Sequence, residues 1–361
     1  MLRGMAVAAM IAVNNPGNWL AVFPWLQHAS WNGCTPADLV FPAFLVIMGL
    51  AMPFAFARRH AAGSRARRGV HTHIVTRTAT LLALGLLLNV VAAWSNLDAV
   101  RFPGVLQRIA IVYAVTALLV LHTSVAVQAI VAVGLGAAHW ALLTLVPFGG
   151  HPAGTLTPTV NLASTIDRFV FGAHMLTPTL DPEGLLGTLT SIATALAGAL
   201  AGRWFRALER PRPRFSGLAA AGFASILLGL VWARSWPLNK SLWTGSYVLV
   251  AAGVAVLAFA ACDLIVDVWK KDGRWAQPFL WLGMNPLAIY FGSEFVGHLM
   301  DIPLRHGTTL GVKEVLFWQG LAPLVHDSGG VWASLVFALA YTTIWTLAAG
   351  ALHRRGIIVH V

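Results

Sequence analysis

His28 and Asp38 stand ten residues apart, and together they are the first pair in this chain whose types could do chemistry. An imidazole titrates close to neutrality, so it can take a proton from an amine or hydroxyl nucleophile at ordinary pH. A carboxylate folded back against the ring would orient it or compensate its charge. The pair lies in the run from Asn14 to Pro42, NNPGNWLAVFPWLQHASWNGCTPADLVFP, which also holds Asn15, Gln27 and Asn32 among Trp19, Trp25 and Trp31. Amide side chains such as Asn14 and Asn32 suit the developing oxyanion of an acyl transfer. The same residue types also end helices and shape turns, and a lone histidine can simply be hydrogen-bonded in a loop. The tryptophans suit sugar faces or a belt at a membrane surface.

Further along, Arg108 in RFPGVLQRIAIVY sits about one turn inside an apolar segment, where an arginine is costly unless it faces a polar cavity or snorkels outward. Asp181 and Glu183 open another segment as acids at a helix N-terminus. Asn239 and Lys240 in PLNKSLW stand at the mouth of a later one. WLGMNPLAIYFGSEF places Asn285 and Glu294 in or near the ninth; the buried Asn-Pro predicts a kink beside a cavity, and Glu294 needs a partner such as Arg108 or Lys240. These six polar residues, Asn32, Arg108, Asn239, Lys240, Asn285 and Glu294, are the candidates for binding substrate or coenzyme. No metal site is read: His71 and His73 form an isolated pair in a basic loop, and the HExxH, phosphate-loop and dinucleotide patterns do not occur.

The elements that must position these groups are membrane helices. The chain has 361 residues, of which 58% are hydrophobic and only 10% charged; a soluble domain carries about 25% charge. The net charge of +11 is spread over loops and forms no stripe of the kind nucleic acid requires. Ten apolar segments are read, at Leu2–Val13, Leu39–Ala57, Ile74–Trp94, Val105–Leu121, Val125–Pro147, Leu185–Phe205, Phe215–Ala233, Leu242–Trp269, Phe279–His298 and Val331–Leu352. Most approach the ~20 residues that cross a bilayer; the first is short, as a partly represented helix would be. The reading is therefore an all-α, polytopic helical bundle of about ten transmembrane helices, forming one unit over residues 1–361. Seventeen of the 24 Lys and Arg residues fall on the side that carries the termini, including Arg58, Arg59, Arg65, Arg67, Arg68 and Arg77. That bias puts both termini in the cytoplasm. Asn14–Pro42 then faces outward with the long loops Phe148–Gly184 and Leu299–Gly330, as do nine of the thirteen acids, Asp327 among them. Cys34 and Cys262 fall near opposite faces and form no disulfide framework.

VNNPGNWLAVFPWLQHASWNGCTPADLVFPAFLVIMG closely resembles the start of the membrane domain of the heparan-α-glucosaminide N-acetyltransferase family. RFPGVLQRIAIVY, DPEGLLGTLTSIATALAGALAG, PLNKSLWTGSYVL and PFLWLGMNPLAIYFG resemble later landmarks of that family in the same order. The resemblance implies an acetyltransferase that takes acetyl-CoA from the cytosolic side and acetylates a glucosamine-type amine on the far side of a membrane. It lands the family's critical histidine on His28, an asparagine on Asn14 and an acid on Asp38, and it implies a homodimer. Set against the animal enzymes, the expectation is a chain without their extra lumenal domain and added helix. The expectation is a multi-pass protein of a bacterial inner membrane, with membrane lipid and an amino-sugar acceptor as partners. The alternative is a permease for an amino sugar or its acetylated form, with the polar residues lining a path.

Overall fold

Apolar runs of this length can satisfy their backbone in hydrocarbon only by closing it into helices, and helices are what form. A computed structural model gives the fold, and the structure describes residues 1–61, 64–271, 273–304, 310–325 and 330–359. Asp327 and the side chains of Arg58, Arg59, Arg65, Arg67 and Arg68 lie outside what is described. In chain order the helices are α1 (Leu2–Asn14), α2 (Val40–Ala61), α3 (Ser64–Ala92), α4 (Val105–His122), α5 (Val125–Leu145), α6 (Leu162–Phe171) and α7 (Leu185–Ala207). There follow α8 (Pro211–Trp232), α9 (Gly245–Cys262), α10 (Gln277–Met284), α11 (Pro286–Met300), the short α12 (Val312–Val315) and α13 (Ala322–Val325), and α14 (Val331–Arg354).

Eight of the described helices are long and apolar enough to cross a membrane. The sequence reading of about ten differs for two physical reasons. Helix α1 has 13 residues and is too short on its own. The ninth segment is broken at Asn285-Pro286 into α10 and α11, because proline cannot donate to the preceding turn. Asn285 turns out to fasten that break to the chain's end. Its Nδ2 donates to Ile357 O at 2.9 Å and its Oδ1 accepts from Val359 N at 2.8 Å.

Helices α2 and α7 form the rigid centre. They approach so closely that a Cβ built on Gly49 would lie 1.9 Å from Ala195 O, and one on Gly198 would lie 2.1 Å from Val46 O. Only small residues allow two membrane helices this contact, and dispersion rather than hydrophobicity holds them. Leu45, Leu196, Trp243 and Tyr247 seal the interface beside them in the largest apolar cluster. Helices α5 and α8 are mostly exposed along their lengths and lie at the edge of the bundle. The consequence for function is that the start of α2, where Asp38 sits, and the start of α7 are held at a fixed separation.

Candidate active site

The loop before α2 folds back on Asp38. A 3-10 turn, Pro36–Leu39, leads into α2, with Thr35 and Asp38 forming a capping box. Asp38 is fully buried, and Oδ2 accepts from Ala29 N at 3.1 Å, Thr35 N at 3.0 Å and Thr35 Oγ1 at 3.1 Å. Oδ1 lies 2.8 Å from His28 Nδ1 and 3.6 Å from Lys240 Nζ. A carboxylate surrounded by this many donors is ionised and acts only as an acceptor. It therefore fixes the proton of His28 on Nδ1 and leaves Nε2 with its lone pair, the form a base or nucleophile needs. The imidazole is itself 44% exposed, so Nε2 has access to a substrate.

Lys240 arrives from the loop before α9. Its Nζ is 3.1 Å from Nδ1 and 3.2 Å from Nε2 of His28. Burial pulls Lys240 below the usual lysine range, against the opposing pull of Asp38 and Glu183. The loop is rigid: Asn239 accepts from Leu242 N at 2.8 Å, and its Nδ2 donates to Asn32 Oδ1 at 3.2 Å. Tyr247 Oη donates to the backbone oxygen of Asp38 at 2.6 Å, tying α9 to the same turn.

These groups open into a cavity of about 460 Å³ lined by His28, Lys240, Asn14, Arg101, Glu183, Glu294, Asp301 and Lys313, with Trp19 at its edge. Of the nine residues singled out from sequence, His28, Asn14, Lys240 and Glu294 line this cavity, and Asp38 lies directly behind His28. Asn14 does not touch His28; its Nδ2 donates to Glu294 Oε1 at 3.1 Å. The partner of Glu294 is thus Asn14 rather than Arg108 or Lys240. Asn32 and Asn239 brace each other beside the site, and Asn285 belongs to the other end of the bundle.

Arg108 is the clearest departure from the reading. It is 2% exposed, lines neither cavity described here, donates from Nη2 to Gly184 O at 2.9 Å and stacks over Trp243 at 5.0 Å. The carboxylates of Glu183, Asp181 and Asp167 compensate its charge through the surrounding protein. The hydrogen bond to Gly184 O ties it to the start of α7, while its Nε and Nη1 are buried without a hydrogen-bond partner among the described residues. The acids expected to cap α7 are also reassigned. Arg101 grips Asp181 at 2.5 and 2.8 Å and pairs with Glu183 as well. Asp167 from α6 instead accepts from Leu185 N at 2.8 Å. Burial would raise Glu183, yet Arg101, Arg108 and Lys240 override it and hold this carboxyl below its ordinary range.

A second cavity, about 500 Å³, opens at the end of the bundle that carries the amino terminus. Its walls are apolar, including Phe44, Met48, Leu81 and Tyr290, while Arg3, His73 and Arg77 supply the polar part of its lining. Met10 lines both cavities and is the one residue of α1 they share. A slender chain with an anionic head would fit such a space, the chain among the apolar walls and the head beside the arginines.

Residues 1–165 match the family model described as heparan-alpha-glucosaminide N-acetyltransferase, catalytic. Two curated relatives bear the name heparan-alpha-glucosaminide N-acetyltransferase. The Mus musculus protein is 30% identical over 411 aligned residues, which cover 98% of this chain and 58% of that protein. The Homo sapiens protein is 31% identical over 348, covering 81% of this chain and 51% of its own length. The chain thus spans a little over half the length of the curated relatives it matches.

Proposed function

Through its residues 1–165 this chain belongs to the heparan-α-glucosaminide N-acetyltransferase family, and from that premise we propose that it transfers an acetyl group from acetyl-CoA to the amine of a glucosamine-type sugar within the membrane. The donor enters at the cytoplasmic end. Its phosphates meet Arg3, His73 and Arg77, and its pantetheine arm lies in the apolar cavity. The acceptor enters the cavity of about 460 Å³ from the outer face. His28 Nε2 takes a proton from the amine as nitrogen attacks the thioester carbonyl carbon, while Asp38 keeps the Nδ1 proton in place. Lys240 stands beside the ring as the positive charge nearest the oxyanion that forms. Collapse breaks the C–S bond and expels the CoA thiolate, which takes from His28 the proton that came from the amine. A two-step form, in which Nε2 carries the acetyl group first, uses the same arrangement.

The observation that carries this reading is the His28–Asp38–Lys240 cluster opening into one cavity, with Met10 of α1 lining both it and a second. Acyl transfer needs a base and a counter-charge beside the reacting carbonyl, and the cluster supports that reading, with the two cavities as the places proposed for donor and acceptor. The reading extends to one transmembrane unit over residues 1–361, a bacterial inner-membrane location with both termini cytoplasmic, and a homodimer. The test is thiol release by purified protein given acetyl-CoA and glucosamine, with N-acetylglucosamine appearing in equal amount. H28A is expected to insert normally and release no CoA. Full activity in H28A removes the histidine from the mechanism, and sugar uptake by proteoliposomes without CoA turnover makes the protein a permease.

A further inference from the structure

An amine flanked by hydroxyls resembles an α-amino group, with a pKa of about 8, so at neutral pH most of it is ammonium without a lone pair. Acetylating it removes two protons from one nitrogen. The first must leave before attack and the second as the tetrahedral adduct collapses. His28 Nε2 accounts for one of them.

The cavity that holds His28 contains a second candidate base, a carboxylate. Glu294 projects from α11 into that cavity, with Oε1 held by Asn14 Nδ2 at 3.1 Å. Among the described residues it forms no ion pair. The cations that share its cavity have carboxylates of their own: Arg101 has Asp181 and Glu183, Lys240 has Asp38, and Lys313 has Asp301 at 3.8 Å. The charged and titratable groups facing Glu294 are Lys313 and Asp301 from the outer loop, Tyr341 from α14, and Tyr290 and His298 on its own helix. Asn14 supplies a neutral donor that orients the carboxylate without neutralising it. A carboxylate on a mostly apolar helix, lining a cavity and lacking its own cation, is a site for an incoming one.

Resting on the acetyltransferase reading, we propose that Glu294 is the ammonium-binding carboxylate of the acceptor site and the first of two bases in the reaction. The carboxylate pairs with R–NH₃⁺ and takes one proton, leaving a neutral amine. The amine nitrogen bonds to the thioester carbon and gives its second proton to His28. The C–S bond then breaks, the thiolate collects the proton from His28, and Glu294 returns its own to outer water. The sum is ammonium plus thioester giving amide, thiol and one proton.

The test compares two acceptors. Glucosamine is mostly protonated at neutral pH, whereas O-methylhydroxylamine is not and needs no first base. E294Q is expected to slow acetylation of glucosamine by about a hundredfold at pH 6, where about 1% of the amine is free, with the deficit shrinking as rising pH deprotonates the sugar in solution. With O-methylhydroxylamine the loss should stay within about fivefold, and E294D should restore the preference for glucosamine. Equal losses on both acceptors at every pH overturn the assignment, since they would mean Glu294 only shapes the cavity. A measurement on the unaltered protein serves where E294Q does not insert. Quaternary N-trimethylglucosamine, which cannot be acetylated, should inhibit more strongly than glucose, and equal inhibition also overturns the assignment. Failure of the unaltered protein to acetylate either acceptor sinks the enzymatic reading itself, which is a separate result.

Discussion

Lys240 Nζ stands nearly equidistant from the two ring nitrogens of His28, at 3.1 and 3.2 Å, and 3.6 Å from Asp38 Oδ1. A cation so close to the imidazole favours negative charge developing next to the ring, which is where the proposed oxyanion forms. K240M is therefore expected to lower kcat by about 10²–10³, the usual cost of removing one preorganised charge from an oxyanion. The KM for acetyl-CoA should change little, because the donor's phosphates are proposed to bind at the other end of the bundle. K240R, which keeps the charge in a wider head, should retain part of the rate. Steady-state kinetics of CoA release measure this split, and an unchanged kcat in K240M would remove Lys240 from the chemistry.

How much of this was visible in the sequence depends on the range of the interaction. The helices were legible because apolar runs longer than the bilayer leave the backbone no other choice, and the break at Asn285-Pro286 followed from proline's missing N–H. His28 and Asp38 were legible because ten residues of loop can close on themselves. Helix α6 was hidden inside a stretch read as loop, although Asn161, which accepts from Ser164 N at 2.8 Å, is an N-cap signal in plain sight. Arg101 gripping Asp181 joins positions 80 residues apart, and no local period announces it. The surroundings of Arg108 were hidden for the same reason: a carbonyl at the start of α7 and a tryptophan face from the loop before α9 come from far along the chain.

Asp167 makes the stability of the α6–α7 contact depend on pH. Burial is the main cause that pushes its carboxyl up to about 6, with Asp181 adding to the shift while Leu185 N–H and Arg108 oppose it. The folded protein therefore holds this proton more tightly than the unfolded chain. The resulting stabilisation is fully present below about pH 4 and is lost as pH rises through about 6, a difference of at most about 3 kcal/mol. D167N keeps an oxygen for Leu185 N–H but cannot ionise. Thermal unfolding in detergent should show D167N more stable than the parent at pH near 8, with the gap closing as pH falls towards 4. A variant that is less stable than the parent at the higher pH would contradict this account of the α6–α7 contact.

Met10 is where the two routes can be separated by experiment. It is 4% exposed, sits on α1 and contributes to the walls of both cavities. If the thioester reaches His28 past this side chain, closing the gap should stop transfer without touching any chemical group. M10W adds volume at a packed position, where an oversized side chain costs about 1–3 kcal/mol, so the bundle should survive it. Its expected phenotype is a loss of acetyl transfer of at least about tenfold, with CoA binding at the arginine-bearing end kept within about threefold. M10L conserves volume and should behave like the parent. Binding is read by calorimetry with CoA and turnover by thiol release. If M10W bound CoA and also turned over at the parental rate, donor and acceptor would meet by another path, and the shared wall at Met10 would have no part in delivering the thioester.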